Sequence, residues 1–554
     1  MRLLTAFFLL AAVPRADDCT ESIADNPEFK AIRIRTLVDD IQVLSRAERA
    51  HLVDVLLPNA VKFFEQSMSV RRAVDPIVID MSFAGKPNII LDDHDIVILV
   101  AATGGGEESG EYSAMMGAAF QWDVCGRTVG GIVSVSKQSL SEGLRTDYGR
   151  SQLASGLVHE FVHVLGFHSS SMERWRIPGT MEPYVRAAQY SSLEKWYHCE
   201  IGEDEEFHVV WDVDKNFAAE NMYLHTFLPG IVAPISTRGL DASECRCPWD
   251  PAKQYTSEDI EYCMAYPEHC ALAITTPTVI ETSREYYQCF SAPGMELENT
   301  IPLECGAFLN DHWKTRLVRG ELMNSRDHQA YHFISPMTFA ALEDSGWYRM
   351  NYSTLNHMLP SSTWGFEAGC DFMVSRCLDL ATGFNLDPEK FCSPLEEGQK
   401  KCSADLTAIE QCDDGHRRGR WEFMSVIPHG NLAQYNYGTS AIFSAMRYHD
   451  FCPAWVFMDH KPLDLCATDS KPRRRCFTVS STPHCLESVC SETRDSYFIL
   501  TSRGERLSEP CLAADQIVDE RYRCADPRIV CADWNYNHLL PSAGINGGMG
   551  NTDL

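Results

Sequence analysis

Apolar residues recur along the chain with two different periods, and the switches between them mark out the elements. Over residues 47–57, and past Pro58 through residue 65, they return every three or four positions, which predicts a long N-terminal helix with one buried face. Short β-branched runs bounded by turn-forming residues follow at 76–80, 95–101 and 130–136, and each is read as a strand. Helical spacing resumes from Ser151 in an apolar segment that suits a buried helix, and Gly166 stands where such a helix often ends. From about Trp364 the pattern changes again. Strand-like runs such as 496–501 alternate with closely spaced cysteines, which predicts a β-rich C-terminal domain held by disulfides.

The helix that follows the third strand carries the candidate chemistry. His159 and His163 are four residues apart, so they lie on one face, one turn apart, and both rings can reach one metal ion at about 2.0–2.1 Å. Glu160 occupies a neighbouring part of the surface, where it can act on water instead of on the metal. This is the HExxH arrangement of zinc peptidases. The competing reading, two core histidines that happen to be so spaced, is disfavoured by the apolar run before them and the glycine after them. A catalytic zinc needs a third protein ligand and an open position. The compact HExxHxxGxxH pattern would place that ligand at position 169, which is Ser169. His168 is one residue out of phase and, at about 100° per residue, points elsewhere; Glu173 and Glu182 are weaker alternatives still. The third ligand is expected farther along. The glycine-rich loop at 103–107 lacks a Gly-Lys-Ser/Thr ending and is not read as a phosphate loop.

Composition narrows the compartment and the partners. A chain of 554 residues exceeds a single core and implies two to four domains. Its first thirteen residues are a short basic start and an apolar run too brief to span a bilayer, followed by small residues such as Ala16, so 1–16 is expected to be a secretory signal peptide. The 22 cysteines, an even number, are most simply eleven disulfides, and the absence of any CxxC pair argues against zinc ribbons. Thirteen of them lie from Cys370 onward, so at least one bridge must tie that region to the rest. A net charge of −29 repels polyphosphates and anionic membranes, which excludes nucleic acid as an expected partner. No transmembrane segment is predicted, and the tail 547–554 lacks the hydrophobic end of a GPI signal, so a secreted, extracellular chain is expected.

Residues far beyond the HExxH carry a family resemblance. The segment from His312-Trp313 to Glu321-Leu-Met323, followed by 335–348, resembles the leishmanolysin family of metzincin metallopeptidases. So do 56–61, 282–289, the block 364–370 followed by Cys377, and the cysteine pattern through Cys531. The resemblance implies an α+β fold: a metzincin-like catalytic module of mixed sheet and active-site helix, a mostly helical lower subdomain, and a disulfide-rich, β-rich C-terminal domain. It further implies His312 as third ligand to one catalytic Zn2+ beside His159 and His163, Met323 as the Met-turn residue beneath the metal, Glu160 as general base, and proteins or peptides as substrates. The expected divisions are 17–168, 169–360 and 361–554.

The chain departs from the family pattern in two places. The interval from His163 to His312 is long and carries an acidic run near 200–206 and five additional cysteines, read as a disulfide-stapled insertion at about 170–275. No long propeptide precedes the first helix, so Cys19 is either a latency switch on the metal or half of a disulfide, the even cysteine count favouring the disulfide. Asn351-Tyr-Ser353 is the only glycosylation sequon. The C-terminal domain is expected to be structural or to bind substrates or cell surfaces, and the rival function is a secreted adhesion or binding protein that keeps the fold without turnover. An inactive relative would tend to lose Glu160 or a ligand, and none is lost.

Overall fold

The structure is a computed structural model that describes Cys19 and residues 28–39, 41–73, 76–82, 85–103, 115–184, 197–201, 207–211, 231–236, 270–298, 311–324, 332–355, 363–374, 390–392, 398–413, 454–457, 464–467, 471 and 473–531. The expected signal peptide, the glycine-rich loop beyond Thr103 and most of the expected insertion lie outside these residues.

Strands β1 (Phe29–Ala31) and β2 (Ile34–Val38) precede the N-terminal helix, which runs through α1 (Arg46–His51), a π-helical stretch (Leu52–Leu56) and α2 (Leu57–Ser67). Ser45 starts it with a capping box: its hydroxyl accepts from Glu48 N, and the Glu48 carboxylate accepts from Ser45 N at 2.6 Å. The π stretch, which the spacing did not predict, lies directly ahead of Pro58, where a main-chain donor is missing. Phe63, Phe64 and Leu57 on α2 point into the main core.

β3 (Met68–Arg71), the hairpin β4 (Ile77–Ile79) and β5 (Ile89–Leu91), and the long strands β6 (Ile96–Thr103), β7 (Met115–Trp122) and β8 (Thr128–Ser136) follow. The principal sheet has the order β2-β6-β8-β7, parallel except for the antiparallel edge strand β7. Alternation along β6 explains its unbroken apolar run. Ile96, Ile98, Val100 and Ala102 face the main core, while Val97 and Leu99 face a second core formed with Ile79, Met81 and Leu91 of the hairpin region.

After α3 (Lys137–Gly143), the long helix α4 (Asp147–Leu165) packs across β7 and β8. Thr146 caps its start by accepting from Gly149 N at 2.9 Å, and Gly166 ends it at φ +140°. Leu153, Leu157, Val158, Phe161, Val162, Val164 and Leu165 are all buried on it. The helix comes so close to the sheet that two strand positions admit only glycine. A Cβ on Gly131 would lie 2.2 Å from Val164, and one on Gly117 would lie 2.4 Å from the main-chain oxygen of Glu160.

Within the expected insertion, β9 (Tyr197–Ile201) pairs with β10 (Phe207–Trp211) and β11 (Val232–Ser236) with β12 (Cys270–Ile274). Next come α5 (Pro277–Tyr287), β13 (Met295–Glu296), the single turn α6 (Thr315–Val318), α7 (Pro336–Asp344) and β14 (Tyr348–Met350). β14 pairs with β3, which also pairs with β1, so the lower part of the module closes back onto its beginning. The fold is α+β, as expected.

The C-terminal region is β-rich. It contains the sheet β15 (Lys400–Cys402), β16 (Ile409–Asp413), β17 (Ala454–Phe457), and a five-stranded sheet ordered β20-β19-β18-β22-β21, built from β18 (Arg474–Val479), β19 (Thr482–Cys490), β20 (Tyr497–Ile499), β21 (Ile517–Val518) and β22 (Tyr522–Arg523). Disulfides 392–412, 402–476, 466–485, 490–531 and 511–524 staple it. Cys289–Cys370 is a bridge of the kind that the odd count required, joining this region to the lower part of the module. Cys19 pairs with Cys125, which removes the latency-switch alternative: its sulfur is bonded and has no thiolate to offer a metal.

Candidate metal centre

α4 presents His159 and His163 one turn apart, with ring centroids 4.6 Å from one another. His312 comes from the segment between β13 and α6, placed by main-chain bonds on both sides: Glu298 N to His312 O at 2.9 Å and Trp313 N to Met323 O at 2.8 Å. The three Nε2 atoms converge, His163 to His159 at 2.9 Å, His163 to His312 at 3.2 Å and His312 to His159 at 3.3 Å. Among the described residues, this is the one group of three or more His, Cys, Asp or Glu that can hold a metal. Bonds of 2.0–2.1 Å at a tetrahedral angle would separate ligand nitrogens by about 3.3 Å, so the triad matches zinc to within a few tenths of an ångström.

The outer nitrogens fix the tautomers. His159 Nδ1 lies 2.6 Å from Leu322 O and His163 Nδ1 lies 2.7 Å from Phe167 O; a carbonyl only accepts, so each Nδ1 carries the proton and each Nε2 directs a lone pair inward. Burial, and then the neighbouring His163 ring, push His159 down to about 3; burial and then His168 do the same to His163. His312 is lowered well below its ordinary value, burial again leading. The neutral imidazoles this produces are the form that binds a metal.

Glu160 is buried beside the triad, and its carboxylate accepts from Gly117 N on the edge strand β7. Desolvation raises it to about 8, partly offset by that hydrogen bond. Met323 is fully buried, and its main-chain bond to Trp313 places it next in space to the His312 segment. The carboxylate of Glu321, in the same Glu-Leu-Met run, accepts from Ser335 N and Oγ at 3.0 Å, from Thr338 Oγ1 at 2.5 Å and from Met323 N. His168 does not join the triad: its Nε2 lies 3.5 Å from Asp311. Sequence reasoning missed Asp311, Glu321 and Gly117. Glu321 was within the recognised run, and Asp311 was adjacent to the expected ligand, but neither has a spacing that announces a role.

A mixed sheet with an antiparallel edge strand, a crossing helix bearing two histidines and a glutamate, and a third histidine returned by a distant segment define a metzincin-type module. The leishmanolysin family model matches residues 264–522, a span that holds His312 and Met323 and begins after α4. A leishmanolysin homolog from Crithidia fasciculata is 27% identical over 249 residues, 44% of this chain and 34% of the relative. A leishmanolysin-like peptidase from Drosophila melanogaster is 35% identical over 147 residues, 25% of this chain and 20% of the relative. The ciliated left-right organizer metallopeptidase of Mus musculus is 33% identical over 148 residues, 26% and 20% respectively. Over residues 264–522 the chain is similar to the leishmanolysin family of zinc metallopeptidases. The matched stretches span 20–34% of these relatives' lengths.

Proposed function

We propose that this chain is a secreted zinc-dependent endopeptidase in which His159, His163 and His312 hold one catalytic Zn2+ and Glu160 is the general base. The observation that carries the reading is the convergence of three inward lone pairs at 2.9–3.3 Å, an arrangement that repels itself unless a cation lies between them. Bound there, zinc would supply Lewis-acid polarisation of a peptide carbonyl and acidification of a water molecule.

The protein groups do the rest. Glu160, raised by burial, takes the proton from the attacking water and returns it to the departing amine. The side of β7 that has no strand partner among the described residues offers main-chain groups to an extended substrate, which would add to the sheet as a strand and lie across α4. Met323 packs beneath the ligand segment. The disulfides among the described residues support an oxidising, extracellular setting, and exposed Asn351 is the proposed glycan acceptor. No helix among the described residues is long and apolar enough to cross a membrane. The module divides near 168 and 360, and a role for the C-terminal domain at cell surfaces belongs to the same proposal.

One comparison tests the activity: zinc content and cleavage of an unstructured protein by the wild type, Glu160→Ala and His312→Ala. Glu160→Ala is expected to keep its zinc and lose about 100- to 10,000-fold in rate, the range of general acid–base contributions. His312→Ala is expected to lose zinc. A wild type that binds zinc and cleaves no better than Glu160→Ala would overturn the reading.

A further inference from the structure

We propose that Asp311, held in place by His168, is a positioning residue that sets the affinity of the histidine triad for its metal; this rests on the zinc reading above. One carboxylate faces three imidazoles. Its Oδ2 lies 3.5 Å from His168 Nε2 and 3.9 Å from His163 Nδ1, and its Oδ1 lies 3.8 Å from His312 Nδ1. Two of those rings belong to the triad, and Asp311 meets both on the side away from the converging nitrogens. Its side chain is only 16% exposed, so solvent does little to screen it.

A carboxylate behind a ligating imidazole makes the ring a better donor and fixes its orientation. Here one carboxylate stands 3.8–3.9 Å behind two rings from different parts of the chain and acts on both through its charge, while Phe167 O accepts the His163 proton. Glu298 adds a second carboxyl oxygen near His312, at 3.9 Å from Nδ1. Asp311 is nevertheless the carboxylate that touches both the helix ligand and the returning ligand.

His168 supplies the hold. Ser170 N donates to its Nδ1 at 3.3 Å, which makes Nδ1 the acceptor and leaves the ring proton on Nε2, facing Asp311. Ser170 Oγ lies 2.9 Å from the same Nδ1. His168 stands three residues past the end of α4, and Asp311 immediately precedes His312, so their contact joins the helix end to the segment that brings the third ligand. The histidine that was out of phase for the metal is in phase for the carboxylate behind it.

Zinc dissociation constants, measured against a competing chelator, and the visible spectrum of the cobalt-substituted protein test this in Asp311→Asn, His168→Ala and His168→Gln, with unfolding of each metal-free protein followed in parallel. Asp311→Asn is expected to bind zinc about 10- to 100-fold more weakly and to shift the cobalt bands, with metal-free stability unchanged. His168→Ala should show a smaller loss, which the amide donor of His168→Gln recovers. Wild-type affinity in Asp311→Asn overturns the inference alone, as does a loss matched by an equal loss of metal-free stability. A wild type that takes up no zinc overturns the inference together with the zinc reading.

Discussion

At the scale of single residues, the centre is a problem of uncompensated charge and lone pairs. The imidazoles are neutral and directed inward, and the carboxylates lie outside the ring of nitrogens: Asp311 behind two histidines and Glu321 under the Met323 main chain. Glu321 collects donors from Ser335, Thr338 and Met323, and burial raises it to about 7 in spite of them. Truncation there would leave several donors unpaired in a dry interior. Glu321→Ala is therefore expected to cost about 2–4 kcal/mol, read from chemical denaturation, while Glu321→Gln, which keeps the shape and one acceptor, costs less. Equal stability in the two variants would mean that the acceptor at this position is unimportant.

At the scale of elements, the active-site helix is located by what β7 and β8 leave out. Gly117 brings strand and helix into contact, and it also donates its N–H to Glu160. A methyl group there would meet a main-chain oxygen of α4, which cannot rotate away as a side chain can. Gly117→Ala is expected to lower stability by about 1–3 kcal/mol and to reduce kcat/KM by displacing Glu160, while zinc content of the folded protein is unchanged. Thermal unfolding, metal analysis and peptide cleavage on one preparation check all three. These elements also show what the sequence discloses. The helix pair, the long strands and the HExxH face are local patterns, and they were legible from spacing. β1, β3 and β14 are three or four residues each, and β3 pairs with β14 across 278 positions (348 − 70), so no period within any of them announces the sheet. His312 was legible through family resemblance and not through spacing, since 149 residues separate it from His163. The π stretch before Pro58 and the Asp311–His168 contact had no local signal at all.

At the scale of the whole molecule, the C-terminal region is joined to the catalytic module beside the metal segment. Arg319, just past α6, donates to Trp455 O, and Tyr148 at the start of α4 packs against Ala408, Leu465 and Ala467. Glu410 on β16 is buried at this junction; desolvation raises it from 4.5 to about 7, against the pull of Arg319 and Lys401. Between those values the native state holds a proton that the unfolded chain has released. The stabilisation is full below the lower value and is lost as pH rises through the upper one. The melting temperature of Glu410→Gln is expected to rise relative to that of the wild type between about pH 4.5 and 7; parallel slopes in the two proteins would remove Glu410 as a contributor. The triad has a consequence of its own for the chain as a polymer. A cation bound by His163 and His312 would clasp together two points of the chain 149 residues apart. Taking the cation away would free the two ends of that loop as reducing a disulfide does. Such an ion would thus serve as a removable cross-link, and the long interval between the two histidines is tolerable because closing a longer loop costs only slightly more entropy than closing a short one.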